Sequence, residues 1–227
     1  MGRYYPDRLF GAKLARVYDL ASPRILRYLA AEVRYVVDNV EGMGRVLELG
    51  CGYARAMREV APHVTRIAGI DISRESLRLA EVHLHPYRNC DLLQMDASRL
   101  AFPKGTFDAV ICIQNGLSAF GRDRHRLVAE AVRVVRDGGL MLFSSYSPRF
   151  WADRLAWFRA QSREGLLGEI DESQTSEGTI VCKDGFRAGT VGEDEFRALF
   201  REQGLVASIH EIDESSVFAR TSKSKNG

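Results

Sequence analysis

Arg45-Val46-Leu47-Glu48-Leu49-Gly50-Cys51-Gly52-Tyr53-Ala54-Arg55 is the stretch on which the fold turns. Val46 to Leu49 read as a buried strand that stops at a Gly-x-Gly turn. A helix is expected from about Tyr53 to Ala61, where Pro62 closes it. A side chain at either glycine would keep a ligand from the backbone. A helix start aimed across the turn offers free N–H groups. The stretch therefore predicts a small-molecule or cofactor site at the carboxyl end of a first parallel strand. Glu48 beside the turn would repel a pyrophosphate and suits a ligand carrying positive charge.

Downstream, strand and helix patterns alternate. Arg66–Ile72, Cys90–Asp96, Phe107–Gln114 and Leu140–Ser145 read as strands two to five. The helix between strands two and three opens at Ser73 and turns Leu77, Leu79, Ala80 and Val82 inward; Arg122 to Arg136 is helical, and Asp137-Gly138-Gly139 turns. Strand four is continuous in its apolar core, as a doubly covered parallel strand should be. Upstream, Leu9, Phe10, Lys13, Leu14 and Val17 have rough helical spacing. Ser22-Pro23 starts a second helix whose face is Leu26, Leu29, Ala30, Val33, Val36, Val37 and Val40, with Gly42 and Gly44 ending it. After Tyr146 the pattern changes. A helix over 150–163 carries Trp151, Leu155 and Phe158, Asp184-Gly185 marks a hairpin, and a helix and two closing strands follow.

The expected fold is α/β: a Rossmann-like seven-stranded, mostly parallel sheet with helices on both faces. It has an antiparallel C-terminal hairpin, an N-terminal helical layer and an insertion after strand five. One domain over 1–222 is expected, divided into an N-terminal helical cap (1–41), a cofactor-binding core (42–146), a cap insertion (147–189) and a C-terminal helix and hairpin (190–222). Residues 223–227 are expected to be a disordered tail.

The chain has 227 residues, enough for a sizeable core, and a formal net charge of +2. That near balance gives no electrostatic case for nucleic-acid binding. Cys51, Cys90, Cys112 and Cys182 form no C-x-x-C pair and are expected to be reduced thiols. No apolar run approaches a membrane span, no signal-peptide pattern opens the chain, and Pro6 spoils the myristoylation signal begun by Met1-Gly2. The expectation is a cytoplasmic protein without membrane or nucleic-acid partners, with a homodimer left open. His83 and His85 lack partner acids at ligand spacing, so no metal is expected.

Three acids, Glu48, Asp71 and Asp96, end three successive strand patterns and so line one sheet edge. Asp71 follows the glycine turn by about 20 residues, the spacing at which an acid meets ribose hydroxyls. With these residues the chain, over roughly 40–146, resembles the class I S-adenosylmethionine-dependent methyltransferases, in particular the small-molecule branch. Val46 to Gly52 is similar to the family's E/D-x-G-x-G-x-G motif, with Ala54 in place of the last glycine. Gly69 to Ser73, Met95 to Ala97, Phe107 to Val110 and Val134 to Leu140 resemble the motifs that follow.

The resemblance implies S-adenosyl-L-methionine as cofactor. It implies that Gly50, Cys51 and Gly52 cradle its methionine part, with Glu48 at the ammonium. Asp71 would hold the ribose, Ile72 would pack on adenine, and Asp96 with the Ala97 N–H would read the adenine edge. Gln114 and Asn115 would lie beneath the sulfonium, Arg55 would pair with the carboxylate, and Tyr18 would close over it. The implied activity is methyl transfer to a small-molecule acceptor, driven by positioning; a base, if one is used, would be His125, Tyr146 or Tyr18. No N/D/S-P-P-Y/F run, proline-flanked cysteine or acid cluster follows strand four, which disfavours nucleobase and metal-assisted catechol chemistry. Residues 1–40 and 147–189 would form the acceptor pocket. Two rivals remain: a non-catalytic cofactor-binding protein on the same fold, and an NAD-type oxidoreductase, for which Arg55 stands where G-x-G-x-x-G needs glycine and no Tyr-x-x-x-Lys run appears.

Overall fold

A computed structural model describes residues 10–121 and 123–224. A seven-stranded sheet organises them. Its strands are β1 (Arg45–Leu49), β2 (Arg66–Asp71), β3 (Cys90–Gln94), β4 (Phe107–Cys112), β5 (Val135–Tyr146), β8 (Ser208–Ile212) and β9 (Ser216–Ser222), in the order β3-β2-β1-β4-β5-β9-β8. The β1–β2, β2–β3, β1–β4 and β4–β5 pairs are parallel, while β9 runs antiparallel to β5 and to β8. The order reverses between β1 and β4, and open α/β sheets bind ligands in the crevice at such a switch point. The glycine turn leaves β1 into that crevice.

Helices cover both faces. On one face α2 (Pro23–Val40), α3 (Arg55–Val60) and α4 (Arg74–Leu84) pack through Val33, Val36, Val40, Met57, Val60, Leu77 and Leu84. On the other, α6 (Arg124–Val134) and α8 (Glu193–Arg201) pack through Leu127, Val128, Val134, Phe196 and Phe200. A third, aromatic cluster joins α1 (Gly11–Asp19), the start of α2, and α7 (Trp151–Arg163) with the small hairpin of β6 (Ile180–Val181) and β7 (Arg187–Ala188). A one-turn helix, α5 (Gly116–Ala119), follows β4.

Most expected boundaries hold within a few residues, and several details differ. Ser22 caps α2 through Ile25 N–H and Ser73 caps α4 through Ser76 N–H, as their positions imply. The inward face of α2 is rotated from the expected one: Ile25, Tyr28, Leu29 and Glu32 are buried, and Leu26 is 54% exposed. Val82, expected inward, is 69% exposed, and Leu84 takes its place. Pro62 does not end the chain's helical course; it sits in a 3₁₀ turn over Ala61–His63, where a missing N–H costs nothing. Asp137-Gly138-Gly139 belongs to β5 as an irregularity: Phe107 pairs with Val135, but Ala109 already pairs with Leu140. Gly138 takes φ +74° there, and a side chain at Gly139 would meet Asp108 O at 2.8 Å. The expected tail is anchored at its first residue, because Lys223 Nζ donates to Val132 O and Val135 O. Its last three residues, with Met1-Gly2, Pro6, Leu9 and Arg122, lie outside the described residues. No described helix is long and apolar enough to cross a membrane.

Candidate active site

Gly50 and Gly52 adopt φ +72° and +55°, the left-handed region that glycine enters without strain. The N–H groups of Gly50 and Cys51 both reach Ile70 O, and Gly52 N–H reaches Asp71 Oδ2 at 3.0 Å. The other Asp71 oxygen accepts from Ser73 N–H at 2.8 Å. Asp71 thus holds the glycine turn and starts α4 while its carboxylate edge faces the crevice. A Cβ on Gly50 would stand 2.4 Å from the Phe120 ring, and one on Gly52 would be 3.2 Å from Leu14. Ala54 is also left-handed, at φ +67°, which explains why the resembled motif carries glycine at that position.

A cavity of about 200 Å³ opens over this turn. At one end its wall is Gly50, Gly52, Asp71, Ile72, Asp96 and Ala97. Ile72 is a 37% exposed isoleucine there, and Asp96 is fixed by the N–H and hydroxyl of Ser98. At the other end stand Val17, Tyr18, Tyr28, Tyr146, Trp157, Phe158 and Gln161. Gln114 lies between the two ends, held at φ +55°, with its N–H on the Ser144 hydroxyl at 2.9 Å. The Tyr18 hydroxyl donates to Gln114 Oε1 at 2.8 Å, while Gln114 Nε2 is buried without a partner.

Behind the turn, Glu48 is buried and Arg55 is half-buried, with its Nε and Nη2 shielded from solvent. Burial raises the Glu48 carboxyl to about 7, with Arg55 opposing the rise and Asp71 adding to it. Glu48 Oε2 and Arg55 Nε and Nη2 have no hydrogen-bond partner. The Arg55 guanidinium lies 5.2 Å from the Tyr18 ring centre. Tyr18 is raised by burial, and Arg55 pulls against that rise.

The crevice therefore gathers Tyr18, Gly50, Gly52, Asp71, Ile72, Asp96, Ala97, Gln114 and Tyr146 in one wall, with Glu48 and Arg55 directly behind it. Three expected residues go elsewhere. Cys51 packs its sulfur against Gly69 under the sheet, and burial raises its thiol well above the ordinary range. Asn115 donates to Gly189 O and accepts from Ser145, so its side chain ties β4 to the cap. His125 is on the surface at the start of α6, paired with Glu202 at 2.6 Å. The expected base candidates are thus reduced to the two tyrosines. Tyr28, Trp157 and Gln161 fall within the expected 1–40 and 147–189 regions without being singled out there, and Phe120 lies outside them. Their local sequence carries no signal that marks them as wall residues. No group of three His, Cys, Asp or Glu among the described residues is placed to hold a metal ion.

Comparison with known proteins agrees with this geometry. Residues 46–139 match the model of the methyltransferase domain family. The chain is 36% identical over 164 residues to a phosphatidylethanolamine N-methyltransferase of Cereibacter sphaeroides, covering 67% of this chain and 74% of that protein. It is 31% identical to a fatty-acid O-methyltransferase of Mycolicibacterium smegmatis, of which it spans 43%. Among solved structures, a Pyrococcus horikoshii protein superposes with a TM-score of 0.68 at 19% identity, covering 98% of this chain and 99% of that one. The N-methyltransferase NodS of Bradyrhizobium japonicum, solved with S-adenosyl-L-homocysteine, gives a TM-score of 0.62 at 15% identity over 96% of this chain and 100% of its own. With its glycine turn, its ribose-position acid and its strand order, the chain belongs to the class I S-adenosylmethionine-dependent methyltransferases.

Proposed function

We propose that this protein methylates an amine-bearing small molecule whose nitrogen enters the aromatic end of the cavity. The observation that carries the reading is continuity. One cavity runs from the glycine turn past Gln114 to Tyr18, Tyr28, Tyr146, Trp157 and Phe158. Electron-rich ring faces attract an ammonium group, and the similarity to an enzyme named for N-methylation supports the same class. Arg154 already occupies Tyr146 and Phe158, at 4.5 and 5.5 Å from their centres. Arg55 stands 5.2 Å from the Tyr18 ring centre, so the cavity-lining sides of Tyr28 and Trp157 are what an acceptor would meet.

The residues present fit the cofactor. Glu48 supplies an unpartnered acceptor atom and Arg55 two unpartnered donors, the pair an α-amino-acid zwitterion needs. Each Asp71 oxygen keeps a lone pair beyond its backbone N–H bond, enough for a ribose diol. Ile72 offers an apolar face to adenine, and Asp96 with Ala97 N–H offers polar atoms to its edge. When bound, the cofactor supplies an activated methyl group. The chain's part is to orient the acceptor and exclude water, which Gln114, Tyr18 and the α7 wall do. The four cysteines are free thiols, three of them buried, which supports a reducing, cytoplasmic setting.

The test is methyl transfer from labelled S-adenosylmethionine to phosphatidylethanolamine, phosphoethanolamine and, as a hydroxyl control, a free fatty acid. Methylated amine in step with S-adenosylhomocysteine is the expected result. Transfer to the fatty acid alone would overturn the amine reading.

A further inference from the structure

The aromatic end of the cavity has no acid or histidine in its wall. Asp71 and Asp96 stand at the cofactor end, where Asp71 accepts the Gly52 and Ser73 N–H groups and Asp96 Oδ1 accepts the Ser98 N–H and hydroxyl. Yet an acceptor that takes a methyl group on an N–H or O–H atom must release a proton. One carboxyl lies a single hydroxyl away. Tyr28 and Glu32 are four residues apart on α2, hence stacked on one face of the helix, and they are 1% and 0% exposed. The Tyr28 ring is part of the cavity wall, and its hydroxyl stands beside the Glu32 carboxyl. Glu32 Oε1 accepts the Ser144 hydroxyl at 2.6 Å, whereas Oε2 is buried with no hydrogen-bond partner. A buried carboxylate oxygen without a donor is costly, and a proton arriving on Oε2 removes the cost.

We propose that Glu32 takes up the acceptor's proton, with the Tyr28 hydroxyl carrying it out of the cavity. The assignment rests on the methyl-transfer reading. An acceptor that enters as an ammonium first gives a proton to the Tyr28 oxygen as the Tyr28 proton moves to the Glu32 carboxylate. The lone pair so freed bonds to the methyl carbon as the carbon–sulfur bond breaks and leaves its electrons on sulfur. Tyr28 ends unchanged and Glu32 ends neutral. Glu32 does not touch the acceptor, so it acts through Tyr28.

Glu32's surroundings suit this duty. Burial raises its carboxyl above the usual range. Opposing that are the Ser144 hydroxyl from β5, Arg55 from α3, the Ser216 hydroxyl from β9 and Tyr28 from its own helix. Tyr18 on α1, Tyr146 on β5 and Cys112 on β4 all feel its negative charge. A carboxyl tuned toward the working pH exchanges protons better than one at the ordinary value. The competing role is structural: Glu32 would only hold Ser144, which accepts Gln114 N–H.

The test combines two measurements on the full chain. Carbon-13 spectra of glutamate-labelled protein, with Glu32→Gln identifying the resonance, should show Glu32 titrating above the exposed glutamates, with a midpoint that moves in Tyr28→Phe. A Glu32 that titrates with the exposed glutamates, or ignores Tyr28→Phe, overturns the proposal. In methyl transfer to phosphatidylethanolamine vesicles, Glu32→Gln should lower kcat by about a hundredfold, with KM within about threefold. The acid limb of the kcat profile should vanish, and Glu32→Asp should restore part of the rate. An unchanged acid limb in Glu32→Gln also overturns it. Binding of S-adenosylhomocysteine, unchanged in Glu32→Gln, shows that the variant is folded. If the wild type binds that ligand but methylates no probe, the acceptor reading fails and the carbon-13 titration still decides for or against Glu32.

Discussion

Glu48 is an acid held out of water behind the glycine turn, and its titration has consequences in both directions. Its folded value of about 7 lies above the ordinary 4.5. The raised value means that folding favours the protonated form. The stability tied to this group is full below about pH 4.5 and is lost as pH rises through 7. Denaturant melts of the ligand-free protein should therefore show a loss on the order of 2–3 kcal/mol between pH 5 and 8 that Glu48→Gln lacks. On the proposal that Glu48 meets the cofactor's ammonium, binding favours the charged form, so calorimetry near pH 6 should record proton release on binding in the wild type and none in Glu48→Gln. Gly50 makes a steric prediction. Alanine there must adopt φ +72° and place its methyl 2.4 Å from Phe120. Gly50→Ala should cost about 1–3 kcal/mol and weaken S-adenosylhomocysteine binding at least about tenfold, measured by melting and calorimetry. The positions of Glu48, Gly50 and Asp71 were legible in the sequence because each is set locally: a strand end, a turn that needs bare backbone, and an acid one βα unit later. Glu32 was not legible. Its hydrogen-bond donor Ser144 is 112 residues away, and a glutamate on a helix reads as solvent-facing.

Among the elements, α7 walls the aromatic end of the cavity. Its Trp157 forms cavity wall and donates Nε1–H to Val17 O at 3.0 Å, tying α7 to α1. Arg154, one turn earlier, is 1% exposed and donates to Ala188 O at 2.7 Å, tying the same helix to the small hairpin. Trp157→Ala should cost about 3–5 kcal/mol in stability and raise the acceptor KM about tenfold or more. Its affinity for S-adenosylhomocysteine should stay within about twofold, since the glycine turn lies on other elements. Equal losses at both ends would show that the two halves of the cavity are not separable. The sequence pattern located α7 and named Phe158, but it chose Trp151 and Leu155 as that residue's companions. A stripe at helical spacing reports amphipathicity, and it does not say which edge of the stripe a neighbouring helix leaves open. Leu26 and Val82 were misjudged for the same reason. They are apolar and correctly spaced, yet they fall at the rim of a face whose centre is set by tertiary packing.

For the whole molecule, the strand order places the glycine turn, Asp71 and Asp96 along the carboxyl ends of adjacent parallel strands. Alternating βα units, read from periodicity, were enough to foresee this edge, because parallel strands with helical crossovers admit few arrangements. For the aromatic end of the cavity the sequence marked only regions, 1–40 and 147–189. That end is assembled from α1, α2, β5 and α7, whose meeting depends on packing that no short motif encodes. We propose that one cavity holds S-adenosylmethionine at the glycine turn, with Asp71 on its ribose. The most direct measurement is calorimetric titration of the wild type and Asp71→Ala with S-adenosylhomocysteine, with NAD as the rival ligand. The expected result is one site per chain for S-adenosylhomocysteine, binding weakened at least about tenfold by Asp71→Ala, and no heat with NAD. Binding of NAD, or S-adenosylhomocysteine affinity indifferent to Asp71→Ala, would contradict it.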